Sequence, residues 1–272
     1  MSHTTVFASA LNGQHSELLR SDGGVAPLAV ERWRGAAAGE DSWLLGRCRG
    51  ATIDLGCGPG RLVEALAARG VVALGVDVAA EAIGQCRRRG VPVLRADVFA
   101  PLPDEGTWDH VILADGNLGI GGDPETLLRR VMELISPTGT VLVELDPGEP
   151  GLWRGLARVR SRDAVGHPFP WATAGVAALP GLAARTGLRP TVLYRGRRSF
   201  AELVPVMDRT ADAPKRPDDT STAEGAPATV AVRAVRATVA STTTGQPERS
   251  TAAVSSSPSR ASPRPHARPR RA

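Results

Sequence analysis

Residues 53–61 spell Ile-Asp-Leu-Gly-Cys-Gly-Pro-Gly-Arg, and they lie where a short apolar run gives way to a helical pattern. The apolar run at 51–55 predicts a buried strand, and Leu62, Val63 and Leu66 share one face of the helix that follows. In open parallel sheets, ligands bind at the carboxyl ends of strands, where a glycine-rich first turn lets the backbone approach a ligand closely. The stretch therefore predicts a ligand site at this strand-to-helix turn.

The spacing of the glycines excludes two common nucleotide sites. A dinucleotide fingerprint requires a small residue at position 61, which here is Arg61. A P-loop requires a lysine within its glycine-rich loop, and the only lysine of the chain is Lys215. The remaining pattern is Asp-x-Gly-x-Gly-x-Gly, in which Asp54 precedes the first glycine by two residues. A carboxylate at that position suits a cationic amino group better than a pyrophosphate.

Short apolar runs alternate with helical patterns over most of the first 208 residues, which is typical of βαβ units and a mostly parallel sheet. Two runs at 191–194 and 200–204 predict a closing hairpin, and a helix is predicted near 173–186. The segment at 146–170 shows no regular pattern. The other predicted strands are 51–55, 71–76, 91–95, 110–114 and 140–145, and the other predicted helices are 61–69, 80–89 and 124–134.

The glycine pattern resembles the first motif of class I S-adenosylmethionine (SAM)-dependent methyltransferases, and the resemblance extends over about residues 33–204. It implies an α/β fold, a three-layer αβα Rossmann-like sandwich around a mostly parallel seven-stranded sheet with a C-terminal antiparallel hairpin. It also implies that the glycine turn holds the methionine part of SAM. The matching positions are Asp54, Gly56, Cys57, Gly58 and Gly60.

The resemblance continues at the ends of the next three strands. By resemblance, an acid after the second strand accepts hydrogen bonds from the ribose hydroxyls, and an acid after the third receives the adenine amino group. The motif after the fourth strand borders both SAM and substrate. Each acid alone could equally be an ordinary turn or loop residue, but the series favours SAM binding. The positions are Asp77 with Val78, Asp97 with Val98, and Asp115 with Gly116.

A methyltransferase has chiefly to orient a nucleophile toward the methyl group and to exclude water, so neither a metal ion nor a covalent intermediate is required. Candidates for a base that assists a hydroxyl acceptor are Asp115, Asn117 and His167. The segment at 146–170 is either a substrate wall or a solvated loop whose aromatic residues pack on the core. If its four arginines face the cleft, an acidic substrate is expected.

Composition separates a Pro/Ala/Ser/Thr/Arg-rich tail at 209–272 from the rest of the chain. For the rest, the resemblance implies an N-terminal helical segment at 1–50 that covers the cofactor and a SAM-binding core at 51–208. The tail is expected to be disordered because it cannot bury enough apolar surface. It carries 11 basic and 5 acidic residues of the chain's 33 and 28, so it accounts for the net charge of +5 and leaves the first 208 residues near −1.

This charge distribution favours a small-molecule substrate over nucleic acid. A nucleic-acid-binding or RNA-modifying protein that uses the basic tail remains the alternative, and a tail without function is a further one. Cys48, Cys57 and Cys86 form no CxxC pair and have no histidines at zinc-ligand spacing, which is typical of reduced thiols in cytoplasm. No apolar stretch is long enough for a membrane span.

Overall fold

A computed structural model describes residues 6–206. The predicted tail at 209–272 lies outside the described residues. No helix within residues 6–206 is long and apolar enough to cross a membrane.

The N-terminal segment is not helical throughout, which corrects the expectation of a helical segment at 1–50. Its described part, residues 6–50, contains three short helices and two strands. The strands form an antiparallel hairpin in which Leu18 pairs with Ala26. The elements are α1 (Ala8–Leu11), β1 (Ser16–Arg20), β2 (Val25–Pro27), α2 (Val30–Arg34) and α3 (Asp41–Leu45).

The predicted alternation of strands and helices is confirmed from residue 52 onward. Two helices, α5 and α6, have the predicted bounds, and Gly90 caps α5 in the left-handed conformation with φ of 70°. The elements are β3 (Thr52–Leu55), α4 (Arg61–Ala67), β4 (Ala73–Asp77), α5 (Ala80–Arg89), β5 (Val93–Arg95), β6 (Trp108–Leu113), α6 (Pro124–Leu134) and β7 (Ile135–Leu145).

The segment at 146–170 is not irregular. It contains the whole of one further strand and the first two residues of another, and this second strand replaces the start of the helix predicted from 173. The closing hairpin is found where it was predicted. The remaining elements are β8 (Leu152–Ser161), β9 (Phe169–Ala174), α7 (Leu179–Arg185), β10 (Leu188–Arg195) and β11 (Ser199–Pro205).

Seven strands form one mixed sheet in the order β10-β11-β7-β6-β3-β4-β5. The strand β3 lies parallel to both β4 and β6, with Ile53 opposite Leu74 and Val111. The strand β11 runs antiparallel to β7 and to β10. The mostly parallel seven-stranded sheet with a C-terminal antiparallel hairpin is therefore confirmed.

Helices cover both faces of this sheet, which gives the three layers. Successive residues of β6 enter different cores because side chains alternate along a strand. Val111 and Leu113 pack in the core under α6 and α7, whereas Ile112 packs in the core under α3 and α4. Trp108 is fully buried in the first of these cores.

The N-terminal hairpin and the two strands that follow β7 form a second, four-stranded antiparallel sheet in the order β2-β1-β8-β9. We call these four strands, together with α1 and α2, the cap. The strand β1 pairs with β8, so Ser16 lies opposite Ser161. The cap has a small core that includes Leu18, Val159 and Phe169.

Candidate functional site

A cavity of about 680 Å³ lies between the cap and the carboxyl ends of the parallel strands. Its lining includes the residues directly after β3, β4, β5, β6 and β7, as expected for a ligand site in an open α/β sheet. The cap contributes the opposite wall. The lining residues from the sheet include Gly56, Gly58, Asp77, Asp97, Asp115 and Asp146.

The first position of the turn after β3 requires glycine for two reasons. Gly56 has φ of +74°, and a β-carbon there would come within 2.7 Å of the Asn117 side-chain nitrogen. That nitrogen donates hydrogen bonds to the carbonyl oxygens of Leu55 and Gly56, at 2.9 and 2.8 Å. Asn117 therefore holds the glycine turn in place from the neighbouring strand end.

The last glycine of the turn, Gly60, has a packing role. Gly60 does not line the cavity, and it begins α4 in the left-handed conformation with φ of +83°. A β-carbon there would meet the Cys86 sulfur at 2.8 Å. Gly60 thus allows α4 to pack closely against α5, while Gly58 and Cys57 line the cavity itself.

The Asp77 carboxylate lies at the end of β4 and lines the cavity. Its two oxygens accept hydrogen bonds from the backbone N–H groups of Gly58 and Ala79, at 2.9 and 2.8 Å. Burial raises the pKa of Asp77, although these donors act in the opposite direction. Each carboxylate oxygen still has a lone pair for a further donor. Val78, the next residue, also lines the cavity.

Asp97, Val98 and Phe99 line the cavity beyond β5. One Asp97 oxygen accepts a hydrogen bond from the Phe99 N–H at 3.0 Å, which forms a tight turn. The Val98 carbonyl accepts a hydrogen bond from Arg130 on α6 at 3.1 Å. The residues after β5, which the family resemblance predicted to contact adenine, therefore border the same cavity as Asp77.

Asp54 does not line the cavity. It lies within β3, and only 2% of its surface is exposed. Burial is the main cause that raises the pKa of this carboxyl group to about 7; Arg61 opposes the rise, and the nearby carboxylates of Asp115, Asp77 and Asp41 add to it. The structure thus places Asp77 and Asp97 at one cavity and Asp54 behind its wall.

Asp115 is held by arginines from three parts of the chain. Its carboxylate pairs with Arg61 at 2.6 Å, Arg32 at 2.7 Å and Arg198 at 3.3 Å. Burial alone would raise the pKa of Asp115, but the three guanidinium groups lower it. Its backbone is in the left-handed region with φ of 55°, and its N–H donates to Glu144 at 2.6 Å. Gly116, which follows it, lines the cavity.

Asp41 and Glu144 complete this ion-pair network. Asp41 on α3 is 1% exposed and pairs with both Arg61 and Arg198. Burial would raise the pKa of Asp41, but the two arginines lower it. Glu144 on β7 accepts a hydrogen bond from Arg198 Nε at 2.7 Å. The network joins α2, α3, α4, β7, the segment directly after β6 and the loop before β11.

Sequence reasoning missed this network. The sequence analysis used Arg61 only to reject a dinucleotide site, and it assigned no role to Arg32 or Arg198. A basic residue directly after a glycine turn was the one available signal. The partners Asp41, Asp115 and Glu144 are 54 residues or more away from Arg198, so no local pattern connects them.

The other predicted residues are dispersed. His167 lies in the connection between β8 and β9 and does not line the cavity. The arginines of the same region, Arg154, Arg158, Arg160 and Arg162, are also absent from the lining. Arg154 pairs with Glu125 at 3.0 Å and Arg160 with Glu17 at 2.6 Å, both at the surface. The expectation of an acidic substrate based on these four arginines is therefore not supported by their placement.

The Cys57 thiol lines the cavity, and its sulfur lies 3.9 Å from the buried Cys86 sulfur. The contact with Cys86 and burial raise the pKa of Cys57 well above its ordinary value. A thiol in this state is a poor nucleophile, because the thiolate is the reactive form. Among residues 6–206, no group of three or more His, Cys, Asp or Glu side chains could hold a metal ion.

Comparison with known proteins identifies the central part of the chain. Residues 53–139 match a family model described as a methyltransferase domain. The chain is 29% identical over 123 residues to a trans-aconitate 2-methyltransferase from Paracidovorax citrulli, which covers 42% of this chain and 47% of that protein. It is 34% identical over 100 residues to a trans-aconitate 2-methyltransferase from Delftia acidovorans, covering 34% and 37%. The matched region thus spans less than half of either relative.

The fold is also found among solved structures. A SAM-dependent methyltransferase from Bacteroides fragilis, solved with S-adenosyl-L-homocysteine, superposes with a TM-score of 0.63 at 18% identity. The superposition covers 75% of this chain and 94% of that protein. At this identity the comparison concerns the fold.

Proposed function

We propose that this chain is a class I SAM-dependent methyltransferase, as the methyltransferase-domain match over residues 53–139 supports, and that it transfers the SAM methyl group to a small-molecule acceptor bound beside SAM in the cavity between the cap and the strand ends. The single observation that carries the proposal is the convergence of the glycine turn, Asp77 and Asp97 on one cavity at the carboxyl ends of the strands.

The residues present fit SAM. Gly58 and Gly116 line the cavity with positive φ, and a β-carbon at either position would meet no atom closer than 3.9 Å. The open space at these backbones is a cradle that a side chain would fill. The Asp77 carboxylate has lone pairs for two ribose hydroxyls. We propose Asp97 and Val98 as the contacts of the adenine and Asp115 with Gly116 as the border toward the acceptor.

Bound SAM supplies a methyl group that its positive sulfur already activates. The chain therefore has to align the acceptor and to exclude water, and both the cap and the rigid strand ends serve this purpose. In this proposal Asp115 and Asn117 are positioning residues, since the Asp115 carboxylate is held by three arginines and the Asn117 side-chain nitrogen donates two hydrogen bonds to the glycine turn.

The same geometry narrows the acceptor chemistry. The lowered pKa of Asp115 makes it a poor proton acceptor, and the Asn117 amide is engaged with two carbonyl groups. His167 is outside the cavity lining. The arrangement favours an acceptor atom that is nucleophilic at neutral pH without loss of a proton, and we assign no role in proton transfer to these three residues.

Binding of S-adenosylhomocysteine to the full chain tests the proposal, and calorimetry measures it directly. We expect one site per chain, and competition by SAM for that site. The absence of heat with both compounds would contradict the proposal.

The nucleic-acid alternative depends on residues 209–272, which lie outside the described residues. It stays a prediction, as does the cytoplasmic location.

A further inference from the structure

Two of the three cysteines of the chain lie in contact beside the cavity. Cys57 belongs to the glycine turn after β3, and Cys86 lies on α5. Their sulfur atoms are 3.9 Å apart, and both are free thiols. The third cysteine, Cys48, donates a hydrogen bond to the Leu44 carbonyl at 3.4 Å instead. The chain thus contains one close pair of thiols and one separate thiol.

Only one member of the pair borders the cavity. Cys57 is part of the lining and has 8% of its surface exposed, whereas Cys86 is absent from the lining and is fully buried. A small oxidant that enters the cavity therefore reaches Cys57 first. A ligand that contacts the glycine turn would cover the same residue.

The surroundings of the two sulfur atoms leave little free space. A β-carbon on Gly75 would lie 2.6 Å from the Cys57 sulfur, and one on Gly60 would lie 2.8 Å from the Cys86 sulfur. The Cys86 thiol also donates a hydrogen bond to the Gly58 carbonyl at 3.2 Å. The sulfur atoms of a disulfide are about 2 Å apart, so a bond between these two would draw the turn toward α5 and remove that hydrogen bond.

We propose that Cys57 and Cys86 are an oxidative modification site, at which a peroxide forms a reversible disulfide that weakens SAM binding. The effect on SAM rests on the proposed function. Hydrogen peroxide oxidises the Cys57 thiol to a sulfenic acid and releases one water. The Cys86 thiol then attacks the Cys57 sulfur, and its proton leaves with the sulfenic hydroxyl as a second water. The two thiols thereby lose two electrons, which reduce the O–O bond of the peroxide.

The first step is slow, and the second is favoured by proximity. The raised pKa of Cys57 keeps this residue in the less reactive thiol form, so its oxidation requires sustained exposure to the peroxide. Once the sulfenic acid forms, the Cys86 sulfur is already within 3.9 Å. A nucleophile held next to its target reacts as if it were highly concentrated. The disulfide is therefore expected in preference to further oxidation of Cys57.

The disulfide would act on the part of the cavity assigned to SAM. Gly58 directly follows Cys57 and lines the cavity, and its N–H donates a hydrogen bond to the Asp77 carboxylate at 2.9 Å. Movement of the turn toward α5 shifts this backbone relative to Asp77. SAM should consequently bind the reduced form more tightly, and by linkage bound SAM should disfavour the disulfide by the same factor.

Oxidation of the full chain tests the inference. After treatment with hydrogen peroxide, peptide mapping by mass spectrometry should find one disulfide within the chain, between Cys57 and Cys86, and dithiothreitol should reverse it. Calorimetry should show S-adenosylhomocysteine binding to the oxidised protein about tenfold or more weakly, with recovery after reduction. Saturation with S-adenosylhomocysteine before treatment should slow the oxidation, because this ligand covers Cys57.

Cys48→Ser is the matched control, and it should behave as the wild type does in both measurements. Cys86→Ser should form no disulfide and should retain a sulfenic acid on Cys57, which dimedone captures. A disulfide that includes Cys48, or a captured sulfenic acid on Cys57 of the wild type without a disulfide, would overturn the modification site.

The binding measurement separates the inference from the proposed function. A disulfide between Cys57 and Cys86 that leaves the S-adenosylhomocysteine affinity within about twofold would overturn its effect on SAM binding. Failure of the reduced wild type to bind S-adenosylhomocysteine would refute the proposed function and this effect together. Peptide mapping would still decide whether the disulfide forms.

Discussion

The seven-stranded sheet and the cap sheet differ in how far apart their paired strands lie in the chain. In the large sheet, Thr52 pairs with Ala73 across one helix. In the cap, Ser16 pairs with Ser161, and the whole of β3 to β7 lies between them. A βαβ unit is visible in a short window of sequence, whereas a strand that pairs across most of the domain carries no local sign of its partner. The cavity lies where these two kinds of structure meet.

The largest expected effect on stability comes from removing one carboxylate of the buried ion-pair network. Asp41→Ala leaves Arg61 and Arg198 without their shared carboxylate in a buried position. Removing one partner of a buried ion pair costs about 3–5 kcal/mol, so the free energy of unfolding should fall by that amount. Denaturant unfolding followed by circular dichroism measures the change.

A surface pair within the cap provides the matched comparison. Glu17→Ala breaks the pair with Arg160, in which both side chains are partly exposed. Surface pairs contribute about 0–1 kcal/mol, so this variant should unfold close to the wild type. Equal losses in the two variants would mean that burial of the network is not what makes it stabilising.

A smaller effect is expected on ligand binding at the edge of the large sheet. Asp77→Ala should weaken S-adenosylhomocysteine binding by about 100-fold or more, because a charged acceptor for two hydroxyl groups is lost and each such bond contributes about 1.5–3 kcal/mol. Asp97→Ala, with a single expected bond, should lose about tenfold. Calorimetry on the folded variants measures both, and unchanged affinity in Asp77→Ala would remove this residue from the site.

Adding a single methyl group at Gly119 tests the contact between the cap and the large sheet. A β-carbon on Gly119 would lie 2.0 Å from the Ala172 carbonyl oxygen of β9. Gly119→Ala must push the cap away and should lower the free energy of unfolding by about 1–3 kcal/mol. Gly151→Ala is the control, since a β-carbon there meets no atom within 4 Å. A neutral Gly119→Ala would show that the cap moves freely on the sheet.

The smallest effect concerns pH. The folded state keeps a proton on Asp54 up to a pKa of about 7, whereas the unfolded chain loses it near the ordinary value of 3.8. The folded state thus binds more protons between these values, and the free energy of unfolding falls as pH rises, by on the order of 1 kcal/mol per pH unit. Asp54→Asn removes this contribution. Unfolding at pH 5, 6 and 7 should show a shallower slope in the variant than in the wild type.

The strands and helices of the large sheet were predicted from residues a few positions apart. The apolar run at 51–55 and the helical face of Leu62, Val63 and Leu66 are such local patterns, and β3 and α4 form there. The cap strands β8 and β9 were missed, although β8 carries a local signal: buried Ala157 and Val159 alternate with exposed Arg158 and Arg160. The partner of β8 on its other side, β1, lies near the other end of the described chain, so no short window of sequence shows this pairing.

In the candidate site, too, some features were predictable from the sequence and others were not. The positions of Asp77 and Asp97 at a common cavity were predictable, because consecutive parallel strands end at the same edge of a sheet. The burial of Asp54 was not, since it depends on which face of β3 the side chain enters and on what packs there. The network around Asp115 depends on groups brought together from distant segments of the chain.

By itself, then, the sequence determined which strands and helices of the large sheet follow one another along the chain, and where the glycine turn and its neighbouring acids lie. These features are local, because backbone preference and side-chain periodicity act over a few residues. The tertiary structure alone decided the cap sheet and the pairing of four cavity arginines with carboxylates. It also decided that aromatic side chains such as Phe169 and Trp171 line the cavity opposite the strand ends. Those features arise from long-range contacts, whose formation depends on the packing of the whole domain and not on any one stretch of residues.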